Sequence, residues 1–137
     1  MRKMGLDYGD VRIGIAMSDM LGIIANGYET YSRKNEEDDL IYLAKVIKDN
    51  QVDTVVMGLP KNMDGTSGER VELTKQFGDK LATQANVKVV YLDERLTSVS
   101  AERLLIEADV RREKRKQVID KIAATIILQN YLDIYSK

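Results

Sequence analysis

Cysteine and histidine are both absent from this 137-residue sequence, and the two absences remove most of the common enzyme chemistries. Without Cys there is no disulfide framework, thiolate nucleophile, zinc ribbon or iron–sulfur cluster. Without His there is no Ser-His-Asp triad, no imidazole acid–base catalysis and no ordinary zinc-hydrolase site. Any catalysis must come from carboxylates, Lys, Tyr, Ser/Thr, Arg or a hard metal ion, and magnesium or manganese on oxygen ligands fits that set best. An excess of positive charge is missing too. The 21 basic residues face 22 acidic ones, a formal charge of −1, so any nucleic-acid affinity must come from a local basic patch. No apolar run reaches the roughly 18 residues that a membrane helix needs. The opening Met1-Arg2-Lys3-Met4-Gly5-Leu6-Asp7 breaks any export signal with charge, so the expected compartment is the cytoplasm, with no membrane partner.

What is present reads as one globular domain over residues 1–137, long enough to bury roughly two-thirds of its unfolded surface. The single Pro and nine Gly serve as local punctuation. Met4, Leu6 and Tyr8 alternate with Gly5, Asp7 and Gly9 as a strand would, Gly9-Asp10 is a hairpin signal, and Ile13, Ile15 and Met17 continue the alternation. A weaker third strand is expected over Ile24–Tyr31, completing an antiparallel meander. Helix and strand then take turns. Leu40, Leu43, Ala44 and Ile47 space as a helix face behind the acidic run Glu36–Asp39. Asp53–Leu59 is a strand apolar on both faces. Thr66 and Glu69 match a capping box for a helix with Val71, Thr74, Gly78, Leu81, Ala82 and Ala85. Val87–Leu92 is another buried strand, Thr97 caps a helix with Ala101, Leu104, Leu105 and Ala108, and a last helix runs from Val118 to about Ile134. The order βββαβαβαα implies an α/β fold: a mixed sheet flanked by helices, whose strand order these patterns leave open.

Three acids stand out. Asp7 lies in the middle of an apolar strand, where a carboxylate is disfavoured unless paired or bound to a cation, and its same-face neighbours Gly5 and Gly9 leave room for an approaching group. A salt bridge near the turn would explain it equally. Asp93-Glu94-Arg95 follows a buried strand, at the carboxyl edge where open α/β sheets gather ligands, although charges after strands are commonplace. Asp120 has Ala123, Ala124 and Ile127 three, four and seven residues on, which puts it on an apolar helix face; a favourable dipole interaction in a first turn is the competing explanation. Together they suggest a carboxylate cluster, which needs a compensating cation. Magnesium there would bring substrate phosphates into its shell, and two such ions would serve phosphodiester hydrolysis.

Two further segments bear on phosphate binding. Gly58–Gly68 joins a buried strand to a helix, so its amides suit an anion, but its glycine spacing is not that of a Walker A loop; a plain tight connection is the alternative. Arg111-Arg112-Glu113-Lys114-Arg115-Lys116 puts five bases in six residues, in what reads as an interhelical loop. Such runs are commonly solvated surface, yet beside a metal site they could clamp a phosphate backbone. Tyr8, Tyr28, Tyr31, Tyr91, Tyr131 and Tyr135 form no stacking stripe of the single-strand-binding kind and read as core or rim.

Gly5-Leu6-Asp7-Tyr8-Gly9 with Arg12–Asp19, Gly58–Thr66, Asp93–Thr97, and Lys114–Lys116 through Asp120–Ala124 and Ile127–Gln129 resemble, in order, four blocks of the YqgF family, also called RuvX-like. Its members carry the names Holliday junction resolvase and pre-16S rRNA nuclease. The blocks span nearly the whole chain, and together they are highly specific. The resemblance implies a ribonuclease H-like fold with a five-stranded mixed sheet in the order 3-2-1-4-5. It implies Asp7, Glu94 and Asp120 as catalytic, metal-binding acids for two Mg2+ or Mn2+ ions, with Asp93 competing with Glu94 for the ligand role. Arg12, Lys61, Arg95, Arg111, Arg112, Lys114, Arg115 and Lys116 become the nucleic-acid contacts. Val11 departs from the family pattern, in which a basic residue often precedes the Arg, and this loads more of the substrate contact onto Arg12. The leading expectation is therefore a metal-dependent endonuclease on structured RNA, processing a pre-16S rRNA. Branched-DNA resolution, which favours a two-fold dimer, and a non-catalytic ribosome-assembly factor are the alternatives; monomer and weak homodimer both stay open. Sugar-kinase and actin-like ATPases share an Asp-x-Gly opening but need a second lobe that 137 residues cannot supply.

Overall fold

A computed structural model describes residues 1–59, 68–93 and 112–135. In these, five strands and three helices follow one another as β1 (Arg2–Tyr8), β2 (Arg12–Ser18), β3 (Ala25–Ser32), α1 (Glu36–Asp49), β4 (Val52–Leu59), α2 (Glu69–Ala85), β5 (Lys88–Asp93) and α3 (Arg112–Tyr135). The strands form one sheet in the order β3-β2-β1-β4-β5. β1–β2 and β2–β3 pair antiparallel, while β1–β4 and β4–β5 pair parallel. The meander, the mixed sheet and the 3-2-1-4-5 order all match expectation. The helix proposed after Thr97 lies outside the described residues.

Strand alternation divides the core in two. Met4 and Leu6 of β1, Ile13, Ile15 and Met17 of β2, and Val55 and Met57 of β4 pack with Leu40, Leu43, Phe77 and Leu81 of α1 and α2. On the other face Ala16 and Val56 pack with Ala124, Ile127, Leu128 and Leu132 of α3. β1 is central and buried on both sides, which is why its apolar positions are so uniformly covered.

Several boundaries depart from the sequence reading. α2 begins at Glu69 with Gly68 as an extended N-cap that makes no side-chain capping bond, so Glu69 opens the helix and does not close a capping box; Thr66 lies outside the described residues. α3 begins at Arg112 rather than Val118. Residues 112–116 are therefore helical and not loop, since Arg, Glu and Lys are all good helix formers and their polarity only hid the continuation. β5 is the last strand of the sheet, and Val89 to Leu92 are half-buried rather than fully covered.

A buried ion pair ties α1 to the end of the meander. Asp39 is wholly buried and accepts from Arg33 Nε at 2.8 Å and from the Lys34 backbone N–H at 3.0 Å. Burial alone would raise its pKa, but the Lys34 amide, Arg33 and Tyr31 together hold it below the ordinary 3.8. Tyr31, desolvated and bonded to Asp39, is pushed up to about 12. Its ring stacks on Tyr42 at 4.4 Å. α1 is capped by the Asn35 side chain, which accepts from the Asp38 N–H at 2.8 Å.

Two outcomes follow for stability. Asp39→Asn leaves the Arg33 charge largely buried without its counter-ion and should cost about 3 kcal/mol at neutral pH. Because the folded pKa is depressed, this advantage of the wild type is complete above the unfolded value and disappears as pH falls through the folded one; urea titrations should show the gap between the two proteins narrowing below about pH 4. A Cβ on Gly5 would lie 2.6 Å from the Ala124 carbonyl oxygen and 2.8 Å from Leu128 Cβ. Gly5→Ala should thus destabilise by about 1–3 kcal/mol through overpacking, read as a lowered thermal midpoint.

Candidate active site

The contact at Gly5 sets how α3 lies on the sheet. Gln129 near the far end of α3 is tied to the β2–β3 connection, its Oε1 accepting from the Ala25 N–H at 2.9 Å and its Nε2 donating to the Ile23 carbonyl at 3.0 Å. Lys121, more than two turns earlier, lies across Gly27 of β3. Gly27 pairs with Ala16, and Ala16 with Gly5. Going from Gln129 to Lys121 therefore moves along β3 from residue 23 toward residue 27, the direction in which the parallel-running β1 also advances. α3 is antiparallel to β1, and its N-terminal end lies toward the carboxyl edge of β1, β4 and β5.

This geometry brings two of the three expected acids to the same level. Asp7 is two residues beyond Gly5 on the same face of β1, a step of about 7 Å. Asp120 is one helical turn before Ala124, a step of about 6 Å in the same direction. The stripe that Asp120 continues is buried at Ala123, Ala124 and Ile127, so the apolar-face reading of this part of α3 holds. Asp7 itself is half-buried, opposite Gly14 of β2.

The remaining candidates fall as follows. β5 ends at Asp93, paired with Leu59, next to the row that continues Leu6, Met57 and Tyr91. Arg12 opens β2 on the same edge, and by alternation with Ile13 it shares the α3 face with Gly14 and Asp7. Arg112, Lys114, Arg115 and Lys116 occupy the opening turns of α3, also at this edge. Glu94, Lys61, Arg95 and Arg111 lie outside the described residues. Among the described residues no three potential ligands form a complete cluster.

Sequence reasoning missed what secures this edge from the opposite face. The Tyr8 ring packs against Phe77, with centroids 4.6 Å apart, and the Arg33 guanidinium lies against both rings, 4.6 Å from the centre of Tyr8 and 5.9 Å from that of Phe77. Arg33 Nη1 donates to the Gly9 carbonyl at 3.0 Å, and Arg70 Nη2 donates to the Tyr8 carbonyl at 3.0 Å while its Nη1 pairs with Asp10. The apolar-face argument applied to Asp120 would have found Asp39 as well, since Leu43, Val46 and Ile47 follow it at four, seven and eight residues. Nothing local in the sequence marks Arg70.

The donors suit a hard divalent cation: the acids at and after this edge are carboxylates, and the chain has no softer His or Cys ligand to offer. The carboxyl ends of parallel strands are also where open α/β sheets leave room for a ligand.

Comparison with known proteins fits this picture. Among solved structures, Thermus thermophilus RuvC in complex with a Holliday junction substrate superposes with a TM-score of 0.64 at 13% identity, covering 99% of this chain and 96% of that one. The fowlpox virus resolvase with Holliday junction DNA gives 0.58 at 14% identity over 100% of both chains. At these identities the likeness concerns the fold, which is the ribonuclease H-like fold of the resolvases. A Halothermothrix orenii protein named "Putative pre-16S rRNA nuclease" is 53% identical over 137 residues, 100% of this chain and 98% of that protein. A Clostridium botulinum (strain Hall) protein of the same name is 50% identical over 100% of both. The family model described as "RuvX: Holliday junction resolvase" matches residues 1–134; with that match and relatives at half identity over its whole length, the chain belongs to the RuvX family.

Proposed function

We propose that this protein is a metal-dependent endonuclease that hydrolyses phosphodiesters of structured RNA in the cytoplasm, acting on the pre-16S rRNA named by its relatives. The observation that carries the reading is that β1 at Asp7 and α3 at Asp120 both lie one step beyond the Gly5–Ala124 contact, toward the carboxyl edge of the parallel strands. Carboxylates gathered at one site need a compensating cation.

Asp7, Glu94 and Asp120 would hold two Mg2+ or Mn2+ ions. The family resemblance favours Glu94 over Asp93 as the ligand; within β5, Val90 and Leu92 pack with the α3 cluster, whereas Val89 and Tyr91 pack with the opposite one. When bound, such ions supply water activation and charge stabilisation at the leaving oxygen. The chain's own task is to bind and orient the phosphate backbone. Arg12, on the face of Asp7, takes the phosphates nearest the acids. Arg112, Lys114, Arg115 and Lys116 on the first turns of α3, with Arg111, Lys61 and Arg95, extend the contact along the strand. With a net charge of −1, affinity would rest on this patch and fall steeply with salt.

Resolution of branched DNA is the second reading, favoured by the description of the family model itself. One assay separates the two: labelled precursor rRNA and a four-way DNA junction, each with Mn2+, treated with wild type and Asp7→Asn. We expect RNA cleavage, reduced at least about 100-fold by the substitution, beyond the usual effect of losing an outer-shell partner. Junction cleavage alone would support the resolvase. If neither substrate is cut, or Asp7→Asn cuts as well as wild type, the nuclease reading falls to that of a non-catalytic assembly factor.

A further inference from the structure

We propose that Arg33 and Arg70 are positioning residues that lock the carboxyl end of β1 and thereby hold the Asp7 carboxylate in its metal-binding position; this rests on the reading of Asp7 as a metal ligand. The two carbonyls that follow Asp7 in the chain each accept from a guanidinium. Tyr8 O accepts from Arg70 and Gly9 O from Arg33, both at 3.0 Å. The Gly9 N–H donates to the Arg12 carbonyl across the hairpin at 3.0 Å, and the two guanidiniums add a donor to each carbonyl on the other side of these peptide units.

The clamp is braced from both helices of the face opposite α3. Arg33 is set by Asp39 of α1, which is completely buried and itself held by the Lys34 amide. Its guanidinium also covers the Tyr8 ring and lies against Phe77 of α2, which packs on Tyr8. Arg70 projects from the first turn of α2 and spans Tyr8 and Asp10 on either side of Gly9. Tyr8 is thus fixed by its ring, its carbonyl and its successor's carbonyl. Because consecutive strand residues face opposite ways, fixing Tyr8 on one face fixes the orientation of Asp7 on the other. The two charges do more than fill space: each planar guanidinium ties a carbonyl to a carboxylate at a fixed angle, Arg70 joining Tyr8 O to Asp10 and Arg33 joining Gly9 O to Asp39, as a Lys ammonium does not.

The positional role makes a prediction opposite in sign to a purely electrostatic one. Removing a cation close to a metal site would by charge alone tighten metal binding, whereas removing a clamp weakens it. Arg33 is nearly buried and its loss endangers the fold, so Arg70, 37% exposed, is the better probe. Mn2+ affinity is measured by titration calorimetry for wild type, Arg70→Met, Arg70→Lys and Asp7→Asn, with circular dichroism to establish that each is folded. We expect Arg70→Met to bind Mn2+ about tenfold more weakly, the lower range for loss of a residue that orients a ligand, Arg70→Lys to recover part of the loss, and cleavage by Arg70→Met to fall in kcat with KM for RNA little changed. Arg70→Met binding Mn2+ as tightly as wild type, or more tightly, while Asp7→Asn loses it, would overturn the clamp and leave the ligand assignment standing. If Asp7→Asn binds as wild type does, the ligand assignment fails and the clamp fails with it.

Discussion

Everything at the carboxyl edge of this sheet depends on how closely α3 can approach β1, and that distance is set where a helix backbone meets a residue without a side chain. Gly5 leaves the Ala124 carbonyl and Leu128 in direct contact with the strand. Interiors are packed to crystal-like density, so a methyl group there cannot be absorbed by slack; it must move the helix. The displacement would be carried along α3 toward Asp120, because a helix moves as a rod, while Asp7 stays with the sheet. The glycine thus sets the separation between elements that the proposed chemistry requires to be close.

The two faces of β1 do different work. The α3 side takes small residues, Gly5, Gly14 and Ala16, and the space the sequence leaves at Gly5 and Gly9 is filled by α3 and by the Arg12 backbone. The other side takes large ones, Met4, Leu6 and Tyr8, under α1 and α2. Charges are distributed in the same asymmetric way. On the α1/α2 side the pair Arg33–Asp39 is buried and fully bonded, as a buried charge must be. On the α3 side Asp7 is half-buried near the carboxyl end of β1. One strand therefore joins a face of large side chains, braced by a buried ion pair, to a face of small residues on which α3 lies closely.

Much of the fold was legible because the sequence follows the periodicities that backbone geometry imposes. The alternation of Met4, Leu6 and Tyr8 against Gly5 and Asp7, and the apolar run at Val55–Leu59, reflect the two-residue repeat of strands and the double burial of a central one. Errors arose where a periodicity carried no apolar signal. Residues 112–116 are helical, yet five of them are charged, so an amphipathic criterion ended the helix too soon. β5 appears as a buried strand in sequence because its residues are apolar, but its place at the end of the sheet leaves them half-covered, and position in a sheet is not encoded in a strand's own composition.

The candidate site divides in the same manner. That any metal held by this chain would sit on oxygen ligands follows from composition alone, since no His or Cys exists to do otherwise, and Asp7 and Asp120 are conspicuous because a carboxylate on an apolar face demands an explanation. Local pattern could also have exposed Asp39 by the identical argument. The common level of residues 7 and 120, the antiparallel run of α3 over β1, and the capture of the Tyr8 and Gly9 carbonyls by Arg70 and Arg33 were decided only by the tertiary structure. These contacts join residues 24 to 62 positions apart for the arginines and more than a hundred for Gly5 and Ala124. No local periodicity can relate residues so distant, because their proximity is a property of how packed layers register, not of any one segment's preference.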